Sequence, residues 1–399
     1  MKFLYIFPLC LSTFANYFCF ALYIFYLKDI SQFCFGSSDG EAFKNGMIVL
    51  TAGFISRPIG GLISGLFSDV KSKKYTYMVM LCLLSLTCVY MSYLEENTSF
   101  ISLIIVRLIQ TMCLGSEFTN SILLAKENNK KKQSFSMSLI TSSGTLGWIM
   151  ASFFSTNYNY HLAWKPLYLA CAIILAFCSL MIFFLDFKQH VKRNLYKVTG
   201  ELLSYKKHIL YTSIFAGVNG SLFYLIIVYT KIVITSNGHF DENQASFFIL
   251  ILLILYSVFL PICGYILDKF SAINSYLGAL LFTLILLNPL ITSITQANDI
   301  KIIFIEGAVL MILMSLLMVS SMRVVTSLFE SCIKYSGVSF SYNLGNAIFG
   351  GLTPLISLFL FKETQFEILP YLLYQLLVIY AIVIIYKKMA ALQKTKVLS

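Results

Sequence analysis

The chain has 399 residues, of which 58% are hydrophobic and only 12% are charged, and its formal net charge is +11. Soluble domains carry about 25% charged residues, so this composition excludes a water-soluble fold. Apolar stretches of about 20 residues recur, and each is long enough to cross a bilayer as a helix. The alternating pattern of a membrane β-barrel does not occur. The sequence therefore predicts an all-α polytopic membrane protein.

The apolar stretch that begins the chain, Phe3 to Tyr26, exceeds the ~7–15 residues of a signal-peptide core, so we expect it to be retained as the first membrane helix. Breaking the rest of the chain at its polar clusters gives eleven further helices. The twelve predicted helices cover residues 3–26, 45–67, 76–94, 100–124, 135–156, 163–185, 209–234, 245–267, 273–295, 302–325, 337–360 and 367–386.

The second helix carries an intramembrane charge, Arg57. It precedes Asp69, at the cytoplasmic end of that helix, by about 18 Å at ~1.5 Å per residue, and so lies near the bilayer midplane. A charge at that depth costs at least about 2.5–3.5 kcal/mol and must face the protein interior or water. Two interpretations stay open: Arg57 binds substrate or a counter-ion in a central cavity, or it forms a structural ion pair.

The fourth helix has a polar stripe of Arg107, Gln110, Glu117 and Ser121, which share one side at about 100° per residue. Such a stripe points away from lipid. Glu117 is the only carboxylate well inside the N-terminal half, so we predict that it accepts a coupling proton, with Arg107 as a gating residue. The alternative is a permanent pair between Glu117 and an arginine.

Two later helices place amides inside the membrane. Asn343 and Asn346 lie close together in the eleventh helix, and Asn219 and Tyr224 follow glycines in the seventh. Buried amides require hydrogen-bonding partners. These side chains therefore either line a cavity, where we expect them to contact substrate, or tie helices together.

The longest polar stretch, residues 187–208, divides the helices six and six. Gly65 to Asp69 ends the second helix and Gly264 to Asp268 ends the eighth, each as G-x-x-x-D with lysine following. A motif repeated at the same helix of each half indicates a duplicated bundle. We predict an N-terminal six-helix bundle over 1–186, a cytoplasmic linker over 187–208, a C-terminal six-helix bundle over 209–388 and a cytoplasmic tail over 389–399.

Basic residues orient the helices. With the N-terminus in the cytoplasm, most of the 29 lysines and arginines lie in cytoplasmic segments, which is the positive-inside pattern. The positive charge therefore reports topology and contact with anionic lipid, not nucleic-acid binding. The basic residues on the opposite side are Lys28, Lys44, Lys165, Lys231, Lys301 and Lys362.

Cysteines and histidines form no chemical motif. The ten cysteines include no C-x-x-C pair, and the four histidines (His161, His190, His208, His239) lie in or near loops. This pattern predicts neither disulfides nor a metal site. We expect no enzyme activity and no bound cofactor.

Three stretches resemble one family. GLFSDVKSKK (65–74) resembles the loop motif between helices 2 and 3 of major facilitator transporters, from which Val70 and Ser72 depart. RLIQTMCLGSE (107–117) resembles the family's fourth-helix pattern. The stretch KYSGVSFSYNLGNAIFGGLTP (334–354) closely resembles the eleventh helix of the metabolite:proton symporter subfamily, which includes proline/betaine transporters.

The resemblance implies the major facilitator fold, with twelve transmembrane helices in two pseudo-symmetric six-helix bundles. It also implies that Asp69 holds the inner gate against the start of the eleventh helix, where Ser336 is the expected N-cap. Lys73 and Lys74 would support this gate, and the motif's repeat assigns Asp268 to gating as well.

The first helix departs from the subfamily. Asn16-Tyr17-Phe18-Cys19-Phe20 replaces the usual Glu-Trp-Tyr-Asp-Phe, so both acids are lost, and we expect Asn16 and Tyr17 to contact substrate. Two functions stay open: a proton-driven transporter and an uncoupled facilitator. A transport-fold sensor or membrane enzyme is disfavoured because no soluble domain or catalytic motif is present.

The sequence thus predicts a monomeric secondary active transporter for a small zwitterionic or anionic metabolite, driven by a proton gradient. We expect it to lie in the lipid bilayer of a bacterial cytoplasmic (inner) membrane, with both termini in the cytoplasm.

Overall fold

A computed structural model describes residues 2–36, 39–157, 163–187, 193–236, 241–296, 300–364 and 366–397. This part of the chain is helical and contains no strand. Ten of its helical segments are long and apolar enough to cross a membrane. One of the ten, Gly40–Ser92, joins two predicted helices, and the serine- and threonine-rich helix Gln133–Asn157 is not among them.

The first eight helices include the first six predicted spans and two short additions, α2 and α8. The left-handed Gly36, with φ of 52°, ends α2, a conformation that glycine adopts without strain. A π-helical turn, Ser68–Ser72, joins α3 to α4. The helices are α1 (Lys2–Phe25), α2 (Leu27–Phe35), α3 (Asp39–Phe67), α4 (Lys73–Ser92), α5 (Phe100–Asn128), α6 (Gln133–Asn157), α7 (Trp164–Phe183) and α8 (Leu195–Ser204).

The remaining helices match the last six predicted spans. The predicted seventh helix is α9 and α10 joined by a π-helical turn, Leu225–Tyr229, and the eleventh is α14 and α15 joined by another, Asn346–Gly350. The helices are α9 (Lys206–Tyr224), α10 (Thr230–Ser236), α11 (Glu242–Leu267), α12 (Ala272–Gln296), α13 (Ile300–Val325), α14 (Lys334–Gly345), α15 (Gly351–Thr364) and α16 (Leu369–Val397).

The chain forms two compact units that exchange short segments. The first unit contains Met1–Lys130, Leu139–Lys206 and Phe329–Asn343. The second contains Lys131–Ser138, Lys207–Leu328 and Leu344–Ser399. The start of α14 therefore belongs to the first unit and the start of α6 to the second. The domain limits taken from the sequence divide the chain differently and stay a prediction.

Small residues allow helices of the first unit to approach closely. A Cβ atom added at Gly60 would overlap the backbone of Met112, and one added at Gly65 would overlap the backbone of Ser336. Close backbone approach at small residues is typical of membrane helix packing. This packing places α3 directly against α5 and against the start of α14.

Candidate functional site

The carboxylate of Glu117 lies at the centre of a buried polar cluster built from α1, α4 and α5. Each member of this cluster is 0% exposed. Four hydroxyls and one amide surround the two carboxylate oxygens. The partners are Ser12 Oγ at 3.0 Å, Thr13 Oγ1 at 2.9 Å, Asn16 Nδ2 at 2.8 Å, Tyr77 OH at 2.8 Å and Ser121 Oγ at 2.7 Å, and with Glu117 they form the Glu117 cluster.

Neither Arg57 nor Arg107 is a hydrogen-bond partner of Glu117. The predicted alternative, a permanent Glu117–arginine pair, is therefore not formed in this structure. The two carboxylate oxygens of Glu117 instead accept hydrogen bonds from neutral hydroxyl and amide groups.

Three helix-1 residues of the stretch that departs from the subfamily pattern contribute to this region in different ways. Asn16 donates its amide to Glu117, as described above. Tyr17 is half-buried and packs edge-on against Phe118, with ring centroids 5.6 Å apart. Cys19 is fully buried, and Gln110 Nε2 lies 3.8 Å from its Sγ. Asn16 thus hydrogen-bonds directly to the candidate proton acceptor.

Aromatic rings hold the two intramembrane arginines. The guanidinium carbon of Arg57, which is half-buried, lies 4.3 Å from the centroid of Phe20 and 4.6 Å from that of Phe54. That of Arg107 lies 3.9 Å from the centroid of Tyr23 and 5.7 Å from that of Phe20. Cation–π contacts of this kind stabilise a guanidinium that has left water. Phe20 therefore contacts both arginines, and the two lie in one aromatic region.

Arg107 is the more deeply placed of the two arginines, at 0% exposure. One terminal nitrogen donates to Gln110 Oε1. Its Nε and other terminal nitrogen have no hydrogen-bond partner among the residues that the structure describes. The Arg107 guanidinium is thus stabilised by the rings of Tyr23 and Phe20 and by the amide of Gln110. No carboxylate neutralises its charge in the described part of the chain.

Asp69 caps the N-terminus of α14. Its carboxylate is 5% exposed and accepts hydrogen bonds from Tyr335 N (3.1 Å), Ser336 N (2.8 Å) and Ser336 Oγ (2.7 Å). The first-turn amides of a helix lack intrahelical partners, and a carboxylate there is favoured by the helix dipole. The contact expected from the loop motif is present. The expectation that Ser336 is the N-cap was wrong: α14 begins at Lys334, and the Ser336 hydroxyl donates to Asp69.

The two lysines of the loop motif differ in position. Lys73 is buried and forms an ion pair with Glu127, whose Oε2 also accepts a 3.3 Å hydrogen bond from Tyr335 OH. Lys73 therefore supports the start of α14 through Glu127. Lys74 lies elsewhere, with its Nζ donating to Phe183 O at the end of α7 over 2.7 Å.

In the second unit, Asp268 caps α6 as Asp69 caps α14. Its two oxygens accept hydrogen bonds from Ser134 N (2.7 Å) and Phe135 N (3.2 Å). Arg323 donates to the carbonyls of Leu267 and Phe270 on either side of Asp268. The aspartate of the repeated G-x-x-x-D motif thus accepts hydrogen bonds from the first backbone amides of a helix in both units.

Two of the predicted amide residues, Asn343 and Asn219, tie helices together. Asn343 Nδ2 donates to Gly115 O and Ser339 O, each at 2.8 Å, which links α14 to α5. Asn219 Nδ2 donates to Ser321 Oγ at 2.5 Å, which links α9 to α13. Asn346 and Tyr224 are half-buried at the π-helical turns of the second unit. Their contact with substrate stays a prediction.

Sequence reasoning missed three hydroxyls of the Glu117 cluster: Ser12, Thr13 and Tyr77. Ser12 and Thr13 precede Asn16 by one helical turn, so they share its side of α1. That spacing was a usable signal. Tyr77 is one tyrosine among 25, and nothing in its sequence neighbours marks it.

Comparisons with known proteins agree with this architecture. The family model of the Major Facilitator Superfamily matches residues 9–234, more than half of the chain. The citrate-proton symporter of Klebsiella pneumoniae is 22% identical over 374 residues, covering 88% of this chain and 84% of that protein. The glycine betaine/proline/ectoine/pipecolic acid transporter OusA of Dickeya dadantii is 22% identical over 89% of this chain and 77% of its own length.

Solved structures show the same fold. The proton:xylose symporter XylE matches with a TM-score of 0.72 at 11% identity, covering 97% of this chain and 95% of that one. The fucose:proton symporter FucP of E. coli matches with a TM-score of 0.70 at 13% identity, covering 94% and 97%. The predicted fold class and family resemblance are confirmed. The chain belongs to the major facilitator superfamily and is a secondary active metabolite transporter, not an enzyme.

Proposed function

We propose that this transporter carries a small carboxylate-bearing metabolite together with a proton, and that Glu117 is the proton acceptor. The observation that carries this proposal is the chemistry of the Glu117 cluster. The cluster surrounds a fully buried carboxylate with four hydroxyls and one amide, and no arginine is among them. An ionisable residue inside a membrane is by default a functional one.

Hydroxyl partners suit a carboxyl group that gains and loses a proton. A hydroxyl can donate to a carboxylate, or it can rotate and accept from a protonated carboxyl. Ser12, Thr13, Tyr77 and Ser121 can therefore serve both protonation states with little movement. An arginine partner could only donate and would hold Glu117 in its charged form.

The loss of the two helix-1 acids motivates the rival function, an uncoupled facilitator of the same fold. Asn16 now donates to Glu117, so one carboxylate is left in this cluster. A single carboxylate is sufficient to carry one proton per transport cycle. We therefore favour coupling through Glu117, driven by a proton gradient and without a bound cofactor.

Arg57 supports the choice of substrate. A half-buried guanidinium presented by aromatic rings is suited to a carboxylate, which it can bind with two parallel hydrogen bonds. The substrates named for the relatives, citrate, proline, glycine betaine, ectoine and pipecolic acid, all carry a carboxylate. We infer a zwitterionic or anionic substrate that contacts Arg57, with Asn16 and Tyr17 nearby.

The two aspartate caps support a gating role. Each fastens the start of a helix in its unit, Asp69 on α14 and Asp268 on α6. Breaking and remaking such caps would permit alternating access. We further infer a monomer in a bacterial cytoplasmic membrane with both termini in the cytoplasm, in agreement with the charge asymmetry of the loops.

The test is uptake by purified protein in liposomes, with labelled citrate, proline and glycine betaine and an imposed pH gradient. We expect the gradient to drive accumulation of at least one compound. The substitution Glu117→Gln should abolish accumulation but retain substrate exchange, which needs no net proton movement. Glu306→Gln is the matched control, because Glu306 is a membrane carboxylate in α13, outside the Glu117 cluster.

Accumulation that ignores the gradient in the unaltered protein would favour the uncoupled facilitator. Loss of gradient-driven uptake in Glu306→Gln, with normal uptake in Glu117→Gln, would move the proton site to α13.

A further inference from the structure

The short helix α8 lies beside the loop motif that carries Asp69. It contacts α3 and the π-helical turn that contains Asp69. The side chains of Val198 and Leu202, one helical turn apart, are buried, so one side of α8 is covered by protein. The backbone amide of Arg193, two residues before α8, donates to Val70 O over 3.2 Å. The start of α8 is therefore anchored to the residue that follows Asp69.

The other end of α8 is fastened to the segment that leads into α14. Tyr205, the residue after α8, donates its hydroxyl to Glu330 Oε1 over 2.6 Å. The centroid of its ring lies 6.2 Å from that of Phe329. A Cβ atom added at Gly337 would overlap the Phe329 ring, so Phe329 packs against the first turn of α14. The end of α8 therefore contacts residues that border the start of α14.

Asp69 and α8 thus join the same two elements of the first unit. Asp69 accepts hydrogen bonds directly from the amides of Tyr335 and Ser336 at the start of α14. By a second route α8, which is about 15 Å long at ~1.5 Å per residue, joins Val70 to Glu330. The start of α14 cannot leave the loop motif unless one end of α8 also detaches.

The two ends of α8 are held by different kinds of contact. At its start, a backbone hydrogen bond and the buried apolar side hold α8 on the loop motif. At its end, the hydroxyl and the ring of Tyr205 hold it, and the hydrogen bond to Glu330 is exposed to water. Bonds to water readily replace an exposed hydrogen bond. We therefore expect the Tyr205 end to be the one that detaches.

We propose that α8 is a strap that holds the inner gate closed, anchored on the loop motif and fastened beside the start of α14 through Tyr205. The strap and the Asp69 cap act in parallel, so each restrains the start of α14 when the other is broken. Release of Tyr205 allows α14 to move away while α8 stays on the loop motif. This inference rests on the proposed gating role of Asp69 and is independent of proton coupling at Glu117.

Hydrogen exchange of the purified full chain in liposomes, read by mass spectrometry, tests the strap. The measured segment is the first turn of α14, whose Tyr335 and Ser336 amides donate to Asp69. We expect Tyr205→Phe, which removes one hydroxyl donor, to speed exchange there by about two- to tenfold, the contribution of one hydrogen bond. Tyr196→Phe is the matched control and should leave the rate unchanged, because Tyr196 lies on α8 and is 87% exposed. Exchange in α12, in the second unit, should stay the same in every variant and reports an intact fold.

Equal exchange of α14 in Tyr205→Phe and in the unaltered protein would overturn the strap, and so would faster exchange confined to α8. Asp69→Asn separates this inference from the proposed function. Faster exchange of α14 in Asp69→Asn, with no change in Tyr205→Phe, would remove the strap and leave the Asp69 gate intact. An unchanged rate in both variants would remove the strap and the gating role of Asp69 together.

Discussion

The first unit holds two regions of charged side chains inside the membrane, where a charge is costly. One region stabilises its charged side chain with hydrogen bonds and the other with aromatic rings. The Glu117 cluster surrounds a carboxylate with hydroxyls and an amide. The region of Arg57 and Arg107 surrounds two guanidiniums with the rings of Phe20, Phe54 and Tyr23. Although all three charged residues lie on the neighbouring helices α3 and α5, Glu117 hydrogen-bonds to neither arginine.

This separation has a functional reading. A direct ion pair would be the simplest way to lower the cost of charges inside a membrane. The neutral hydrogen-bond donors around Glu117 stabilise its carboxylate without an arginine that would hold it in the charged form. The Glu117 cluster is thus suited to a proton, and the aromatic region around the arginines to an anionic group of the substrate.

Among these predictions, removal of the Arg57 side chain should have the largest effect, a loss of substrate binding. We expect Arg57→Ala to weaken substrate binding by about 2–5 kcal/mol, or about 30-fold or more, because a buried carboxylate would lose its charged partner. Labelled uptake across a concentration series measures this loss. The control is Arg193→Ala, an arginine outside the membrane helices that pairs with Glu201. Normal saturable uptake by folded Arg57→Ala protein would show that the aromatic region does not bind substrate.

Arg107 tests the difference between the two regions, because its buried charge has no carboxylate partner and should lower the stability of the fold when no ligand is bound. Replacing it by methionine removes a buried charge without a carboxylate partner, so we expect the free energy of unfolding to rise by about 1–4 kcal/mol. Thermal unfolding of the detergent-solubilised protein measures this gain, and uptake should fall in the same variant. A lower melting temperature for Arg107→Met would instead make Arg107 a structural residue.

Substitution of the two helix-capping aspartates, Asp69 and Asp268, should have the smallest effect, a loss of stability. Asp69→Asn replaces one acceptor oxygen by a donor opposite the α14 amides, which should cost about 1–3 kcal/mol. The loss should be smaller in Asp268→Asn, because Asp268 is more exposed and accepts two hydrogen bonds where Asp69 accepts three. Melting temperatures of the two variants decide the order, and the reverse order would contradict this account of the caps.

The sequence predicted those features that depend on local pattern. Hydropathy predicted twelve spans, and each of them is helical in the structure; it did not predict the short helices α2 and α8. The loop motif predicted the contact of Asp69 with the start of α14. Arg57 and Glu117 were marked by their charge alone, because any intramembrane charge is conspicuous.

Features that depend on packing between distant segments were not predictable in the same way. Tyr77 and Glu117 are 40 positions apart, and only the packing of α4 on α5 brings them to 2.8 Å. The N-cap assignment of Ser336 failed for the same reason, since Asp69 reaches α14 from a segment 267 positions away. The three π-helical turns also follow no pattern of apolar residues that distinguishes them from α-helix.

Proton movement tests the central claim most directly. Liposomes containing the purified protein are given a substrate that it accumulates, and the external pH is recorded without an imposed gradient. If Glu117 carries the coupling proton, substrate entry makes the medium more alkaline in the unaltered protein and in Glu306→Gln, but not in Glu117→Gln. Equal alkalinisation by Glu117→Gln would contradict the assignment of the proton to the Glu117 cluster.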